Sequence, residues 1–548
     1  MNTLLQDLVT RQAQRRPDAT AVVMGDESLT YGALEALSNR VAHALRAAGC
    51  QRGDRVGLLL PKSPLTVASM LGVLKADACY VPLDTASPAA RLAKIVASAE
   101  PRIILVGARG AATLRALLED AQLGASLGIG WLEADGRDTA PAAPAFTLAD
   151  VRDMPSTRPP CANAALDCAH ILFTSGSTGA PKGVMITHAN VLSFVAWATG
   201  YFGLSPADRT SGHSPFHFDL STFDVFGTFA AGAQLHLVPP ELNVVPHQLT
   251  TFIRAAELTQ WFSVPSALTQ MAQFDLVRPN DFPALKRLIW CGEVFPTPAL
   301  RYWMSRLPHV TFTNLYGPTE ATIASSYYTV ARCPDDDRAA IPIGRPCAGE
   351  DLLVLDDDLR PVPSGEIGHL HITGVGLSPG YWRDAEKTQA AFVRNPCGGD
   401  PASRIYRTGD LAYMGPDGLV YFVGRADTQI KSRGYRIELG EIEAALLTVK
   451  DLREAAVVAL PSEGFEGTAI GCAYVPQPGR TVTPVALRRE LGKLVPSYML
   501  PARWREYDVL PRNANGKIDR RRIKEEWSAP DEAAAVGQRS PSRSSAEI

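Results

Sequence analysis

Apolar and polar positions alternate along this chain with two different periods. Residues 30–45, TYGALEALSNRVAHAL, place Leu34, Leu37, Val41 and Leu45 at helical spacing behind Thr30, a helix-starting residue. A second amphipathic helix is expected at the start, where Asp7, Arg11, Arg15 and Arg16 lie among apolar residues and Pro17 ends it. Short, largely apolar runs come next: RVGLLL (55–60), YVPL (80–83), IILV (103–106), AHILF (169–173), QLHLV (234–238) and RLIWC (287–291). Helix-like stretches such as 63–75 separate them, and that alternation predicts an α/β layout with parallel sheets. Residues 133–165, rich in Ala, Pro and Asp, read as a long surface connection. From about residue 350 the segments shorten and alternate (DLLVLD, GHLHITG, LVYFVG), which predicts an antiparallel β subdomain. GRADTQ (424–429) then leads into a compact α+β stretch ending near Trp527, and residues 529–548, without aromatics, read as disordered.

Length changes this picture in one respect: 548 residues exceed what one hydrophobic core sustains, so at least two domains are expected. A net charge of −3 supplies no basic field for nucleic acid or an anionic membrane surface. No apolar run approaches the ~20 residues of a membrane helix, and the N-terminus lacks the apolar core of a secretory signal. Nine cysteines, an odd number with no CxxC pair, argue against a disulfide framework or a structural zinc site. Most are expected to be small buried apolar residues in a protein of the cytoplasm.

The chemistry concentrates in FTSGSTGAPKGV, residues 173–184. Gly176, Gly179 and Gly183 let a ligand approach the main chain. Thr174, Ser175, Ser177 and Thr178 add hydroxyl donors, and Lys182 adds a compact positive charge. Between the strand AHILF and helix-like residues after Lys182, such a loop suits a polyphosphate. It is not the GxxxxGK[ST] loop, because no Ser or Thr follows the lysine. A flexible glycine–serine surface loop is the plain alternative.

This stretch resembles the phosphate loop of the adenylate-forming superfamily, which includes the adenylation domains of nonribosomal peptide synthetases, acyl-CoA synthetases and luciferases. Further segments agree in order over residues 10–528. LKADACYVPLDTASPAAR (74–91) resembles an early structural motif. NLYGPTE (314–320) is similar to the adenine and magnesium segment: the resemblance assigns Tyr316 to adenine stacking, Thr319 to the α-phosphate and Glu320 to Mg²⁺. YRTGDL (406–411) gives Asp410 to the ribose hydroxyls, and Gly292 joins the ATP-binding set. GRADTQIKSRGYRIELGEIE (424–443) gives Arg425 to ribose or phosphate and makes Asp427 the hinge. PSYMLP (496–501) and NANGKIDR (513–520) close the series, and Lys517 resembles the lysine that reaches the substrate carboxylate and the α-phosphate.

The resemblance implies an α/β protein with a large N-terminal domain, residues 1–426, of two αβ-layered subdomains plus a β subdomain. A small mobile α+β C-terminal domain, 427–528, and the tail 529–548 complete it. It implies an AMP-forming ligase that uses ATP and Mg²⁺ to convert a carboxylate into an acyl adenylate, then passes the acyl group to a thiol. In HFDLSTFDVFG (217–227), Asp219 falls where amino-acid-activating members hold the substrate ammonium, and Phe218 falls at the gate to the pantetheine tunnel. A cap for the helix starting near Ser221 is the alternative role of Asp219, and Asp224 is a competing acid. The implied pocket wall is Leu220, Phe223, Ser263, Ile289, Cys291, Leu315, Ile323 and Ala324, which suits a small or medium neutral amino acid such as proline, alanine, serine or cysteine. The expected thiol belongs to the phosphopantetheine arm of a separate carrier protein, since neither a carrier nor a condensation module is seen. An acyl-CoA synthetase using coenzyme A and a catalytically silent nucleotide-binding protein are the competing classes.

Overall fold

The computed structural model describes residues 3–119, 127–133, 139–176, 179–398, 400, 402–462, 468–513 and 518–528. Three residues singled out above, Ser177, Thr178 and Lys517, lie outside the described residues, as does the 529–548 tail.

Among the described residues, two large sheets form the framework. The seven-stranded sheet runs Phe146–Thr147, Gly128–Trp131, Ile103–Val106, Arg55–Leu59, Cys79–Pro82, Cys168–Thr174, Lys182–Thr187. Every neighbouring pair is parallel except the last. The nine-stranded sheet runs Arg345–Pro346, Ser326–Thr329, Thr311–Tyr316, Arg287–Cys291, Gln260–Ser263, Arg209–Gly212, Gln234–Leu237, Thr20–Met24, Glu27–Thr30. Its centre is parallel and its two ends antiparallel. Ile103–Val106 and Arg287–Cys291 are buried at every position, the outcome for apolar strands covered by helices on both faces. The covering helices start where the sequence says they should. Thr30 accepts a hydrogen bond from the Ala33 N–H to cap Tyr31–Ala47, and Ser63 caps Pro64–Lys75 with proline in the first turn.

A five-stranded antiparallel sheet follows, built from Glu350–Leu355, Gly368–Gly374, Phe392–Arg394, Arg404–Met414 and Val420–Arg425. Beyond it, Gln429–Ser432 pairs with Tyr435–Glu438, and Leu452–Pro461, Thr468–Pro476 and Arg503–Glu506 make a three-stranded sheet. Helices Leu439–Leu446 and Pro484–Leu491 pack there on a core of their own, which includes Ile442, Leu446, Val457, Cys472, Leu491 and Met499. Five of the nine cysteines are buried, whereas Cys161 and Cys397 are exposed. No helix of the described residues is long and apolar enough to cross a membrane.

Two expectations need correction. The residues after Lys182 are not helical: Lys182–Thr187 is a strand that turns back on Cys168–Thr174, with Lys182 opposite Thr174. The β-branched Val184, Ile186 and Thr187 favour the extended chain, and Thr187 then caps the helix His188–Phe202 with Asn190 completing the box. Residues 133–165 are more than a connection, because Phe146–Thr147 joins the seven-stranded sheet and Thr147 and Asp150 form a capping box for Leu148–Asp153.

One buried carboxylate ties the second sheet together. Asp208 Oδ1 accepts hydrogen bonds from Thr259 Oγ1 (2.7 Å), Arg287 Nη1 (3.2 Å) and Lys286 Nζ (3.3 Å), while Oδ2 accepts from the Ser205 N–H (2.8 Å). Burial alone would raise its pKa, but the bonds from Thr259, Arg287 and Ser205 outweigh it and hold the group well below the usual carboxylate range. The stabilisation is therefore complete at neutral pH and is lost as pH falls below that range. Asp208→Ala, which strands the buried Arg287, is expected to cost about 3–5 kcal/mol in urea unfolding at pH 7, with a smaller loss at acid pH.

Candidate active site

The phosphate-type loop lies at the turn of a hairpin rather than at the start of a helix. Its closure depends on Gly176, where a Cβ would stand 2.1 Å from the Ala180 carbonyl oxygen, and on Gly179 at φ +79°. Thr174 Oγ1 is buried without a hydrogen-bond partner among the described residues. That orphaned donor is what a loop awaiting an oxyanion would present.

Strand Thr311–Tyr316 and the turn after it bring the second motif under this loop. Glu320 is fully buried, its Oε1 accepting from Tyr381 Oη (2.8 Å) and Lys182 Nζ (3.2 Å) and its Oε2 from Arg436 Nη1 (2.7 Å). Burial raises its pKa, yet Arg436 and Lys182 more than offset this and keep the group ionised, far below the ordinary range. Thr319 Oγ1 donates to Asp219 Oδ2 at 2.7 Å. Asp219 stands at the start of Leu220–Ala231 but makes no capping bond, and burial pushes its pKa up. A carboxylate so desolvated gains from a cationic ligand. The competing acid, Asp224, is buried on the same helix but does not line the cavity that Asp219 faces.

A cavity of about 110 Å³ collects Thr174, Ser175, Phe218, Asp219, Gly292, Thr319, Asp410 and Arg425 with Arg436 and Lys431. A larger one, about 470 Å³, shares Gly292, Arg425 and Lys431 and adds Tyr316, Ile341, Ile343 and Phe422, an apolar wall with a ring suited to a purine. Asp410 accepts from Tyr316 Oη on one oxygen and from Arg425 Nη1 (2.7 Å) on the other. Arg425 also grips Asp427 through Nε (2.9 Å) and Nη2 (2.5 Å), so the expected hinge residue sits in a bidentate fork.

Leu220, Phe223, Ile289, Cys291, Leu315, Ile323 and Ala324 form one apolar cluster with Phe194, Phe202 and Phe262. Ser263 lies beside it, fully buried, and its Oγ accepts from Trp261 Nε1 (2.9 Å). The backbone at this wall is strained. Thr322 and Ile323, both β-branched, have φ of +56° and +72°, where such residues rarely sit. Thr322 is held there by a 2.6 Å bond to the Gly376 carbonyl.

Several residues escaped sequence reasoning. Arg436 and Gly434 come from the segment beyond residue 427: Gly434 N–H donates to Glu293 Oε1 (2.7 Å), and the Arg436 carbonyl accepts from Ser175 Oγ (2.7 Å). Tyr435 meets Phe218 edge-on at 5.0 Å and stacks on Tyr498. Arg91 and Glu441 form a buried ion pair across the same junction. Nothing in the spacing of residues 424–443 announces that Arg436 reaches Glu320.

Comparison with known proteins decides the family. Residues 9–382 match the AMP-binding enzyme family, and residues 441–517 match the AMP-binding enzyme C-terminal domain. The chain belongs to the AMP-binding enzyme family. It is 36% identical over 526 residues to an L-proline–[L-prolyl-carrier protein] ligase of Streptomyces coelicolor, covering 94% of this chain and 95% of that protein. It is 34% identical over 524 residues to tyrocidine synthase 3 of Brevibacillus parabrevis, of which it spans only 8%. Among solved structures, the Vibrio cholerae adenylation domain AlmE, crystallised with glycyl-adenosine-5′-phosphate, superposes with a TM-score of 0.82. That match is 24% identical and covers 96% of this chain and 98% of that one, a likeness of fold. As a member of the family, this AMP-binding enzyme uses ATP as an AMP-forming ligase, and the cavities described above are its candidate nucleotide site.

The Arg91–Glu441 pair yields a test of the junction. Glu441→Ala leaves Arg91 buried and unpaired, so amide exchange across 429–446 is expected to rise about tenfold by mass spectrometry while strand Arg55–Leu59 stays protected.

Proposed function

We propose that this enzyme activates a small or medium neutral amino acid as its aminoacyl adenylate and transfers the aminoacyl group to the phosphopantetheine thiol of a separate carrier protein. The observation that carries this reading is Asp219: a half-buried carboxylate whose pKa desolvation raises, hydrogen-bonded by Thr319 and facing a cavity shared with Thr174, Ser175 and Asp410. A substrate α-ammonium paired with it would satisfy its charge and bring the substrate carboxylate toward the phosphate-loop hydroxyls. A neutral, modest substrate side chain would meet the apolar cluster around Phe223 and Ile323. The proline-specific carrier-protein ligase, alike over nearly its whole length, supports the same choice of substrate and acceptor.

In this reading a carboxylate oxygen attacks the α-phosphorus, an acyl–phosphate bond forms and pyrophosphate leaves. Asp410 accepts the ribose hydroxyls with the lone pairs that Tyr316 and Arg425 leave open, since an ionised carboxylate offers about four. The larger cavity takes the adenine against Tyr316. Lys182 neutralises charge on the β- and γ-phosphates, and Thr319 steadies Asp219 beside the α-phosphate. Mg²⁺ would be held by Glu320 together with phosphate oxygens and water. When bound, the ion supplies charge neutralisation on the triphosphate. Lys517 supplies the second cation from the small domain, 427–528, which pivots at Asp427. The pivot then withdraws Lys517 and opens the Phe218 gate to the thiol.

The reading is tested by a pyrophosphate-exchange screen over proteinogenic amino acids, aryl acids and fatty acids, followed by thioester formation with coenzyme A against holo carrier proteins. Exchange confined to a neutral amino acid, with transfer to a carrier, is the expected result; exchange with a fatty acid and transfer to coenzyme A would replace it. Lys517→Ala is expected to slow exchange by about 10²–10³-fold while ATP binding in calorimetry stays near the parent value. Asp219→Ala is expected to lower kcat/KM for the amino acid about 10²-fold more than for its deaminated analogue.

A further inference from the structure

Two cysteines that the proposed reaction does not use stand side by side in the seven-stranded sheet. Cys79 heads the strand Cys79–Pro82, and Cys168 heads its parallel neighbour, Cys168–Thr174. Their sulfurs are 3.4 Å apart, although 89 positions separate them in the chain. Strict alternation would not bring this about. Tyr80 and His170 are register partners whose rings stack, so a plain strand would turn Cys168 to their side of the sheet and Cys79 to the other. The bulge between Cys168 and His170 breaks the alternation and returns Cys168 to the apolar cluster that holds Cys79 and Ile171.

The two thiols differ in what they can do. Cys79 is buried, which pushes its thiol up and keeps its proton in place. Cys168 is partly open to solvent, and its S–H donates to the His170 carbonyl at 3.3 Å. The nearer acceptor for the Cys79 S–H is then Cys168 Sγ, against 3.9 Å to the Tyr80 carbonyl. A hydrogen bond received there favours the thiolate at Cys168.

We propose that Cys79 and Cys168 form a reversible dithiol–disulfide site whose oxidant is a peroxide, with Cys168 as the attacking sulfur and Cys79 as the resolving one. The Cys168 thiolate, its proton released to water, attacks a peroxide oxygen. The S–O bond forms as the O–O bond breaks, and the leaving hydroxide takes up a proton to become water. Cys79 Sγ then attacks the sulfenic sulfur of Cys168, and its proton leaves with the departing hydroxyl as a second water. Two thiols give up two electrons and one peroxide is reduced, so the step balances. Neighbouring strands run about 4.8 Å apart, a separation that a disulfide between their side chains can span. The link stops Cys168 at a stage that thiols reverse, short of sulfinic acid.

The test uses the full chain and hydrogen peroxide. Peptide mapping without reduction is expected to find Cys79 joined to Cys168 in most chains, and dithiothreitol to restore both thiols. In Cys79→Ala the sulfenic acid has no resolving partner, so dimedone labelling of Cys168 is expected to rise about fivefold or more over the parent. Cys168→Ala is expected to leave Cys79 a thiol at the same peroxide concentration. Cys161 and Cys397 are exposed and serve as references for ordinary surface thiols. Oxidation confined to those two, or Cys168 carried to sulfinic acid in the parent with no link to Cys79, would overturn the proposal. Both results are read on the parent chain, so neither depends on how the variants fold.

Discussion

The site is organised around a buried negative charge. Glu320 has no access to water, so its ionised form exists only because cations and a hydroxyl reach it from three directions. Lys182 comes from the hairpin strand of the first sheet, Tyr381 from the loop after Gly368–Gly374, and Arg436 from the small domain. Withdrawing any of them exposes the others to an unbalanced buried charge. That constraint couples elements separated by up to 254 residues of chain.

The framework around this charge is rigid where position matters. Parallel strands buried on both faces bring the turns at Asp219 and Thr319 to one region, and the hairpin lays the phosphate loop across it. The junction with the small domain is built differently. Its contacts include the Arg91–Glu441 ion pair, the Gly434 N–H bond to Glu293 and the edge-on meeting of Tyr435 with Phe218. Polar junctions can be exchanged for water, so this architecture suits a domain that leaves and returns.

Much of the fold was legible because periodicity and burial coincide. IILV and RLIWC are strands from first to last residue, and Thr30 and Ser63 start their helices. The hairpin after Lys182 was misread because a short apolar run carries no period to separate strand from helix; β-branching at Val184, Ile186 and Thr187 was the available signal. In the candidate site, Thr174, Ser175, Asp219, Thr319 and Asp410, from motifs far apart in the chain, line one cavity. The role of Arg436 was hidden because it depends on how two domains meet, a relation that no local spacing encodes.

The left-handed pair Thr322–Ile323 has a bearing on how this enzyme's preference could be redesigned. Any L-residue placed there inherits the same unfavourable torsion, and glycine would relieve it only by deleting part of the wall. Ile289 and Cys291 stand instead on an unstrained central strand, paired on both sides, where a changed side chain leaves the main chain undisturbed. In the proposed substrate wall a side chain is thus easier to exchange on the sheet than on the turn, whose main chain keeps one strained form.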